Sequence, residues 1–148
     1  MTLDPDPAAS LKLSLPAEPQ AARLLRSELR AWLRKLSATK QETFDLVLAS
    51  GEALANAIEH PLERRTPMIL FSAVQREGGV LMTIRDSGHW HTDRRRPDRG
   101  VGLQLMCALM DKVEIAKSHS GTTITLCRRL GGRRDASALL GESGLRPQ

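Results

Sequence analysis

Residues 52–60 read EALANAIEH, and this stretch decides how the rest of the chain is interpreted. A helical pattern runs through it and extends back to Ser37 or Thr39, either of which could cap the helix. Glu52 and Asn56 are four residues apart, so their side chains lie one above the other on one helical face. A carboxylate and a carboxamide together suit a hydrated magnesium ion and a nearby hydroxyl. Taken alone, this spacing is also typical of a polar surface pair on an amphipathic helix.

Two further polar motifs follow in the chain, and each has a common structural explanation. Residues 84–88 read IRDSG, and Asp86 lies where an apolar run typical of a strand meets a flexible turn. A carboxylate fixed there can accept a hydrogen bond from an exocyclic amine, although Asp-Ser-Gly turns are common. Residues 99–106 read RGVGLQLM, a Gly-x-Gly that opens a helix, where free backbone N–H groups favour phosphate. A lone Gly-x-Gly is weak evidence, and the long basic loop before it does not match the dinucleotide-binding pattern.

The hydrophobic pattern predicts one α+β domain. Its element order, β-α-α-β-β-loop-α-β-β, indicates a two-layer sandwich with about three helices on one face of a mixed, mostly antiparallel sheet. We expect the domain at residues 11–130, after a disordered leader at 1–10 and before a flexible basic tail at 131–148. The predicted elements are strands at 11–15, 68–75, 80–85, 113–116 and 122–127, helices at 17–36, 37 or 39 to 59, and 101–110, and a polar loop at 87–100.

Composition narrows the classes of function. The chain has 148 residues, of which 41% are hydrophobic and 26% charged, and this suits a single soluble domain. Aromatic residues make up only 3%, which argues against a base-stacking surface for nucleic acid. No apolar run approaches the roughly 18 residues of a membrane span, and no signal peptide is apparent, so we expect a cytoplasmic protein. The histidines show no metal-binding spacing, and Cys107 and Cys127 are expected to be buried and reduced.

The net charge is +5, and much of the positive charge lies in three groups of arginines. A solvated helix face with flexible basic loops explains them most simply. The functional alternatives are an anionic ligand near the first group or an acidic protein partner. The groups are Arg94, Arg95, Arg96 and Arg99, then Arg128, Arg129, Arg133 and Arg134, and a helical stripe of Arg23, Arg26, Arg30 and Arg34.

The three motifs occur in one order, and together they resemble the N box, G1 box and G2 box of the GHKL ATPase superfamily. Residues 121–126, GTTITL, look like the last motif of that superfamily, a Gly-Thr that leads a strand. The resemblance is strongest to the anti-sigma-factor serine protein kinases of bacteria. Their N box reads close to Glu-Ala-x-x-Asn-Ala-x-x-His, and their G2 box close to Arg-Gly-x-Gly-Leu, with an Asp ending the helix as Asp111 does here. The resemblance covers roughly residues 11–130 and implies a Bergerat-type ATP-binding fold.

The resemblance also implies ATP and Mg²⁺ as cofactors and gives roles to residues by motif. Glu52 would be the general base that polarises the hydroxyl of a substrate serine, and Asn56 would hold the magnesium ion at the nucleotide. Asp86 would bind the adenine amine, assisted by Thr122 through water, and Gly88 would line the adenine pocket. The residues implied at the phosphates are Gly100, Val101, Gly102 and Leu103.

One stretch departs from the family pattern. Gly88 is followed by His89-Trp90-His91, where the family commonly continues as Gly-x-Gly-Phe. Trp90 in place of the second glycine stiffens the base of the lid but keeps the adenine Asp. The departure therefore bears on turnover more than on nucleotide binding.

The resemblance implies an ATP-dependent serine protein kinase that acts as an anti-sigma factor. Such a protein binds a sigma factor and phosphorylates an anti-anti-sigma partner of the STAS type. The alternative is a non-catalytic regulator of the same fold that binds its partner only with ATP bound. Direct binding to nucleic acid or to a membrane is not expected, and homodimer formation, which similar proteins show, stays open.

Overall fold

A computed structural model describes residues 10–59, 61–62, 67–87, 89–90 and 98–131. They form two layers, a five-stranded sheet and a layer of helices packed on one of its faces, which confirms the predicted α+β sandwich. The elements are β1 Ser10–Pro16, α1 Ala21–Lys35, α2 Lys40–Glu59, β2 Pro61–Leu62, β3 Met68–Arg76, β4 Gly79–Asp86, β5 His89–Trp90, α3 Asp98–Leu109, β6 Lys112–Ser118 and β7 Gly121–Arg129.

The main sheet has the strand order β1-β3-β4-β7-β6, and each neighbouring pair is antiparallel. Burial alternates along its central strands, as it does when only one face of a sheet is covered. Phe71, Met82 and Ile84 are buried on the covered face, where they join Leu29 of α1 and Leu54 of α2 in one core. The buried apolar positions of all the strands and helices thus lie between the two layers.

Helix α2 begins with a reciprocal cap and is then tied to β7. The Glu42 N–H donates to Thr39 Oγ1 at 3.0 Å, and the Thr39 N–H donates to Glu42 Oε1 at 2.8 Å. Glu42 also accepts a hydrogen bond from the Gly131 N–H just beyond β7. One turn further on, Asp45 Oδ2 accepts a hydrogen bond at 2.8 Å from Arg128 of β7, in a largely buried ion pair. Thr39 is confirmed as the cap, whereas the prediction of Arg128 in a solvated basic loop is wrong.

The stretch predicted as one loop contains two ordered elements. Residues 89–90 pair with residues 61–62 as a small antiparallel sheet, and α3 begins at Asp98, earlier than predicted. Two-residue strands are too short to show a hydrophobic period, so the sequence offers no signal for them. Asp98 provides a helix-start signal ahead of the glycines, because an acidic residue is favourable at the positive end of a helix.

The surface of α1 matches the predicted stripe. Arg23, Arg26, Arg30 and Arg34 are all exposed, on the side of the helix away from its buried leucines. Within the described ranges, none of the helices combines the length and the apolar character that crossing a bilayer requires.

The two cysteines are less buried than predicted. Cys107 is exposed on α3, and Cys127 is partly exposed on β7; neither forms a disulfide. Met106 of α3 is buried in the core, and the next side chain, that of Cys107, points about 100° away around the helix. The predicted leader and tail lie outside the described residues except for Ser10 and Gly131, so the bounds 11–130 stay a prediction.

Candidate active site

Glu52 and Asn56 lie one turn apart on α2, both partly buried, where α3 packs against this helix. The backbone of Gly102 lies beside both side chains. A Cβ added at Gly102 would be 3.2 Å from Glu52 Oε1 and 3.9 Å from the terminal atoms of Asn56. Side chains rarely approach as closely as the first of these distances, so glycine leaves the carboxylate and the carboxamide unobstructed. The first and third motifs, far apart in the sequence, therefore meet at one place.

The first turn of α3 provides backbone N–H groups that can bind an anion next to Glu52 and Asn56. The first four N–H groups of a helix have no acceptor within the helix, and they coincide with the positive end of the helix dipole. Gly100 and Val101 belong to this turn, and Gly102 follows it against α2. Leu103 is 38% exposed, while the side chain of Val101 is outside the described part. A phosphate group fits this donor set.

A second group lies where β4 ends and β7 begins. Asp86 and Thr122 are directly paired in the sheet register, and each is 1% exposed. They continue the buried, helix-facing side of their strands. A buried carboxylate next to a buried hydroxyl can select a ligand that offers an N–H donor.

Gly121 determines whether this pair can form, and sequence reasoning included it only as the start of the last motif. Its φ is +137°, and a Cβ there would be 1.9 Å from the carbonyl oxygen of Asp86. Any side chain would push β7 away from β4 at the point where Asp86 meets Thr122. The Gly-Thr pattern carried this information, because the glycine makes room for the strand pairing that places the threonine.

The structure brings the predicted residues into two groups on the helix-covered side of the sheet. Glu52, Asn56 and Gly102 form one, and Asp86 and Thr122 form the other, while α2 contacts both β4 and β7. Gly88 lies outside the described residues, so its role stays a prediction.

Two other features of the surface do not belong to this site. A depression of about 480 Å³ lies on the open face of the sheet, lined by residues such as Lys12, Leu70 and Thr83, and none of the predicted site residues lines it. Among the described residues, no cluster of three or more His, Cys, Asp or Glu is arranged to hold a metal ion. A cation at Asn56 would thus take most of its ligands from water and phosphate oxygens, as Mg²⁺ usually does.

The chain is similar in sequence and in fold to several known proteins. The crystal structure of the RsbU and RsbW domains of Rv1364c from Mycobacterium tuberculosis is 31% identical and superposes with a TM-score of 0.69. The match covers 82% of this chain and 32% of that chain, so this chain spans about a third of the crystallised one.

Two curated relatives are matched over most of their length. The serine-protein kinase RsbW of Bacillus subtilis (strain 168) is 26% identical, with 84% of this chain and 88% of the relative covered. The anti-sigma F factor of Clostridium perfringens (strain SM101 / Type A) is 24% identical, with 81% of this chain and 96% of the relative covered. Residues 15–128, most of the chain, also match the family model of the histidine kinase-like ATPase domain. The chain therefore belongs to the histidine kinase-like ATPase domain family.

Proposed function

We propose that this chain is an ATP-dependent serine protein kinase that acts as an anti-sigma factor. One observation carries the proposal. A Cβ added at Gly102, near the start of α3, would lie only 3.2 Å from Glu52 Oε1. This distance supports a site in which a base, a carboxamide and an anion-binding helix start act together. The relatives named serine-protein kinase and anti-sigma F factor support the two partner classes, a STAS-type anti-anti-sigma protein and a sigma factor.

The nucleotide would be held at both groups of residues. Asp86 accepts a hydrogen bond from the exocyclic amine of adenine, with its sheet partner Thr122 assisting through water. Gly88 lines the same pocket. Asn56 would hold the magnesium ion, which would neutralise negative charge on the phosphates. The residues that hold the phosphates, mainly through backbone N–H groups, are Gly100, Val101, Gly102 and Leu103.

Glu52 is the group that acts on the substrate. Its carboxylate accepts the proton of the serine hydroxyl while that oxygen bonds to the terminal phosphorus of ATP and the bond from phosphorus to ADP breaks. Gly102 keeps Glu52 Oε1 accessible, because a side chain there would contact it. Phosphoryl transfer depends mainly on positioning and charge neutralisation, so this small set of residues is sufficient.

The direct test is transfer of label from ATP carrying ³²P in its terminal phosphate. The wild-type chain, Mg²⁺ and each small STAS-type protein of the same genome would be incubated together, and the modified residue located by mass spectrometry. We expect one of these proteins to be labelled on a serine. ATP labelled in the α-phosphate and reactions with EDTA serve as controls. Tight ATP binding without transfer to any candidate would contradict the kinase proposal and identify the non-catalytic regulator instead.

A further inference from the structure

Gly51 lies in the interior of α2, directly before Glu52, and no described neighbour requires a glycine there. A Cβ added at Gly51 meets no described atom within 4 Å, and its φ is not positive. Gly102 and Gly121 differ, because a Cβ at either would press on neighbouring atoms. Glycine inside a helix is destabilising relative to alanine. Gly51 therefore costs helix stability, and the described residues provide no packing in return.

Gly51 lies within an apolar strip on the surface of α2. With 100° of rotation per residue, Phe44, Leu48, Gly51 and Ala55 fall within an arc of about 60° on α2. We call these four residues the α2 stripe. Phe44 is 58% exposed, the highest fraction among the large apolar side chains of the described residues, and the other three are partly buried. The four residues make a contiguous apolar strip on the side of α2 away from its buried residues, and a contiguous exposed apolar patch is typical of a surface that receives another protein.

The α2 stripe adjoins Glu52 and Asn56. Gly51 is next to Glu52 in the chain, and Ala55 is next to Asn56. Glu52 is eight residues beyond Phe44, which corresponds to about 12 Å along the helix axis. A segment of another protein that lay along the stripe could therefore present a hydroxyl-bearing residue to the Glu52 carboxylate.

We propose that the α2 stripe is the docking surface for the protein that Glu52 phosphorylates. Phe44 enters an apolar cleft of that protein about 12 Å from its acceptor serine, and the acceptor backbone passes closely over Gly51. A transient substrate fits this surface better than a second copy of the chain, because a permanent partner on the stripe would cover the approach to Glu52. The inference rests on the proposed kinase function and adds the surface that selects the substrate.

Two variants test the inference with the STAS-type protein that accepts label from the wild type. Phe44→Ala removes the apolar anchor, and Gly51→Gln fills the space with a residue that favours helix. We expect each to raise KM for the protein substrate at least tenfold, with kcat at saturation and ATP affinity within about twofold of the wild type. A hot-spot side chain at an interface has an effect of this order.

The matched controls are Leu70→Ala and Ala116→Gln, on the strands away from α2. Leu70 is 51% exposed on the open face of the sheet, and Ala116 is exposed on β6. Both controls should leave KM unchanged, and Gly51→Gln should melt no lower than the wild type. Unchanged KM in Phe44→Ala and Gly51→Gln would overturn the inference. So would a lower melting temperature or an altered oligomeric state with normal KM, because the stripe would then be covered by this chain or its copy.

The same variants separate this inference from the kinase proposal. If the wild type transfers no phosphate, the proposed function fails, and docking is measured as ATP-dependent binding of the STAS-type proteins. Binding that Phe44→Ala and Gly51→Gln weaken at least tenfold would keep the docking surface. Binding that neither variant changes would refute it as well.

Discussion

At the scale of single residues, three glycines of this chain show three different relations between a missing side chain and its surroundings. Gly121 is required by the fold, because its φ is positive and the Asp86 carbonyl occupies the position of a Cβ. Gly102 is required by the site, because a Cβ would press on Glu52. Gly51 is required by neither within the described residues. The sequence shows a glycine at all three positions, but only the packing shows what each missing side chain does for the structure.

The pairing of Asp86 with Thr122 leads to a prediction about nucleotide choice. Asp86→Asn keeps the shape of the buried side chain but replaces one acceptor oxygen with a donor amide. We expect it to weaken ATP binding by about 1–3 kcal/mol, the contribution of a hydrogen bond to a charged group. Calorimetric titration of wild type and variant with ATP and GTP measures this, with thermal unfolding as the control for the fold. If the wild type binds GTP as tightly as ATP, Asp86 does not read the adenine amine.

At the scale of elements, several hydrogen bonds hold the first turns of α2, ahead of the turns that carry Glu52 and Asn56. Its first turns are held by the Thr39–Glu42 cap, by Glu42 on Gly131 and by Asp45 on Arg128. These contacts join the helix to the end of β7, and the start of β7 pairs with the end of β4 at Asp86. The helix with Glu52 and Asn56 and the strand with Asp86 are thus connected through β7, which suits the proposed reaction, because that reaction depends on positioning.

The contact between α2 and α3 leads to a prediction that compares two glycine substitutions. Gly102→Ala places a Cβ against Glu52 Oε1, so the carboxylate or α3 must move by a few tenths of an ångström. Overpacking costs about 1–3 kcal/mol of stability, and the shift that relieves it would disturb the proposed phosphate site, so we expect weaker binding of Mg²⁺–ATP with the fold retained. Gly51→Ala should leave ATP affinity unchanged and raise the free energy of unfolding by about 0.5–1 kcal/mol. Equal ATP affinities of the two variants by calorimetry would show that Gly102 does not border the phosphates.

Most elements could be predicted from the sequence, because each has a hydrophobic pattern long enough to identify it as a helix or a strand. The helix at residues 40–59 and the hairpin of β3 and β4 are within a few residues of their predicted bounds. The strands at residues 61–62 and 89–90 could not be predicted, because two residues carry no period. The approach of Gly102 to Glu52 has no local signal either, since it results from the docking of two helices.

At the scale of the whole molecule, one layer of helices covers one face of an antiparallel sheet, and every described predicted site residue lies on elements that meet on that side. The order of the motifs was sufficient to predict the family, which the match over residues 15–128 confirms. The α2 stripe could not be predicted, because the exposure of Phe44 depends on what the neighbouring elements leave uncovered. Motif patterns therefore predict the nucleotide site, and the structure was needed to identify the surface that we propose for the protein substrate.

The central claim is that Glu52 removes the proton from a serine hydroxyl during transfer of the terminal phosphoryl group of ATP. The most direct measurement is the rate of that transfer by the wild type and by Glu52→Gln, with ATP and the STAS-type protein both saturating. We predict a decrease of roughly 10²–10⁴-fold, the scale of a lost general base, with ATP affinity retained. Glu114→Gln, the same substitution at an exposed position of β6, should transfer at the wild-type rate. An active wild type with an equally active Glu52→Gln variant would contradict the account.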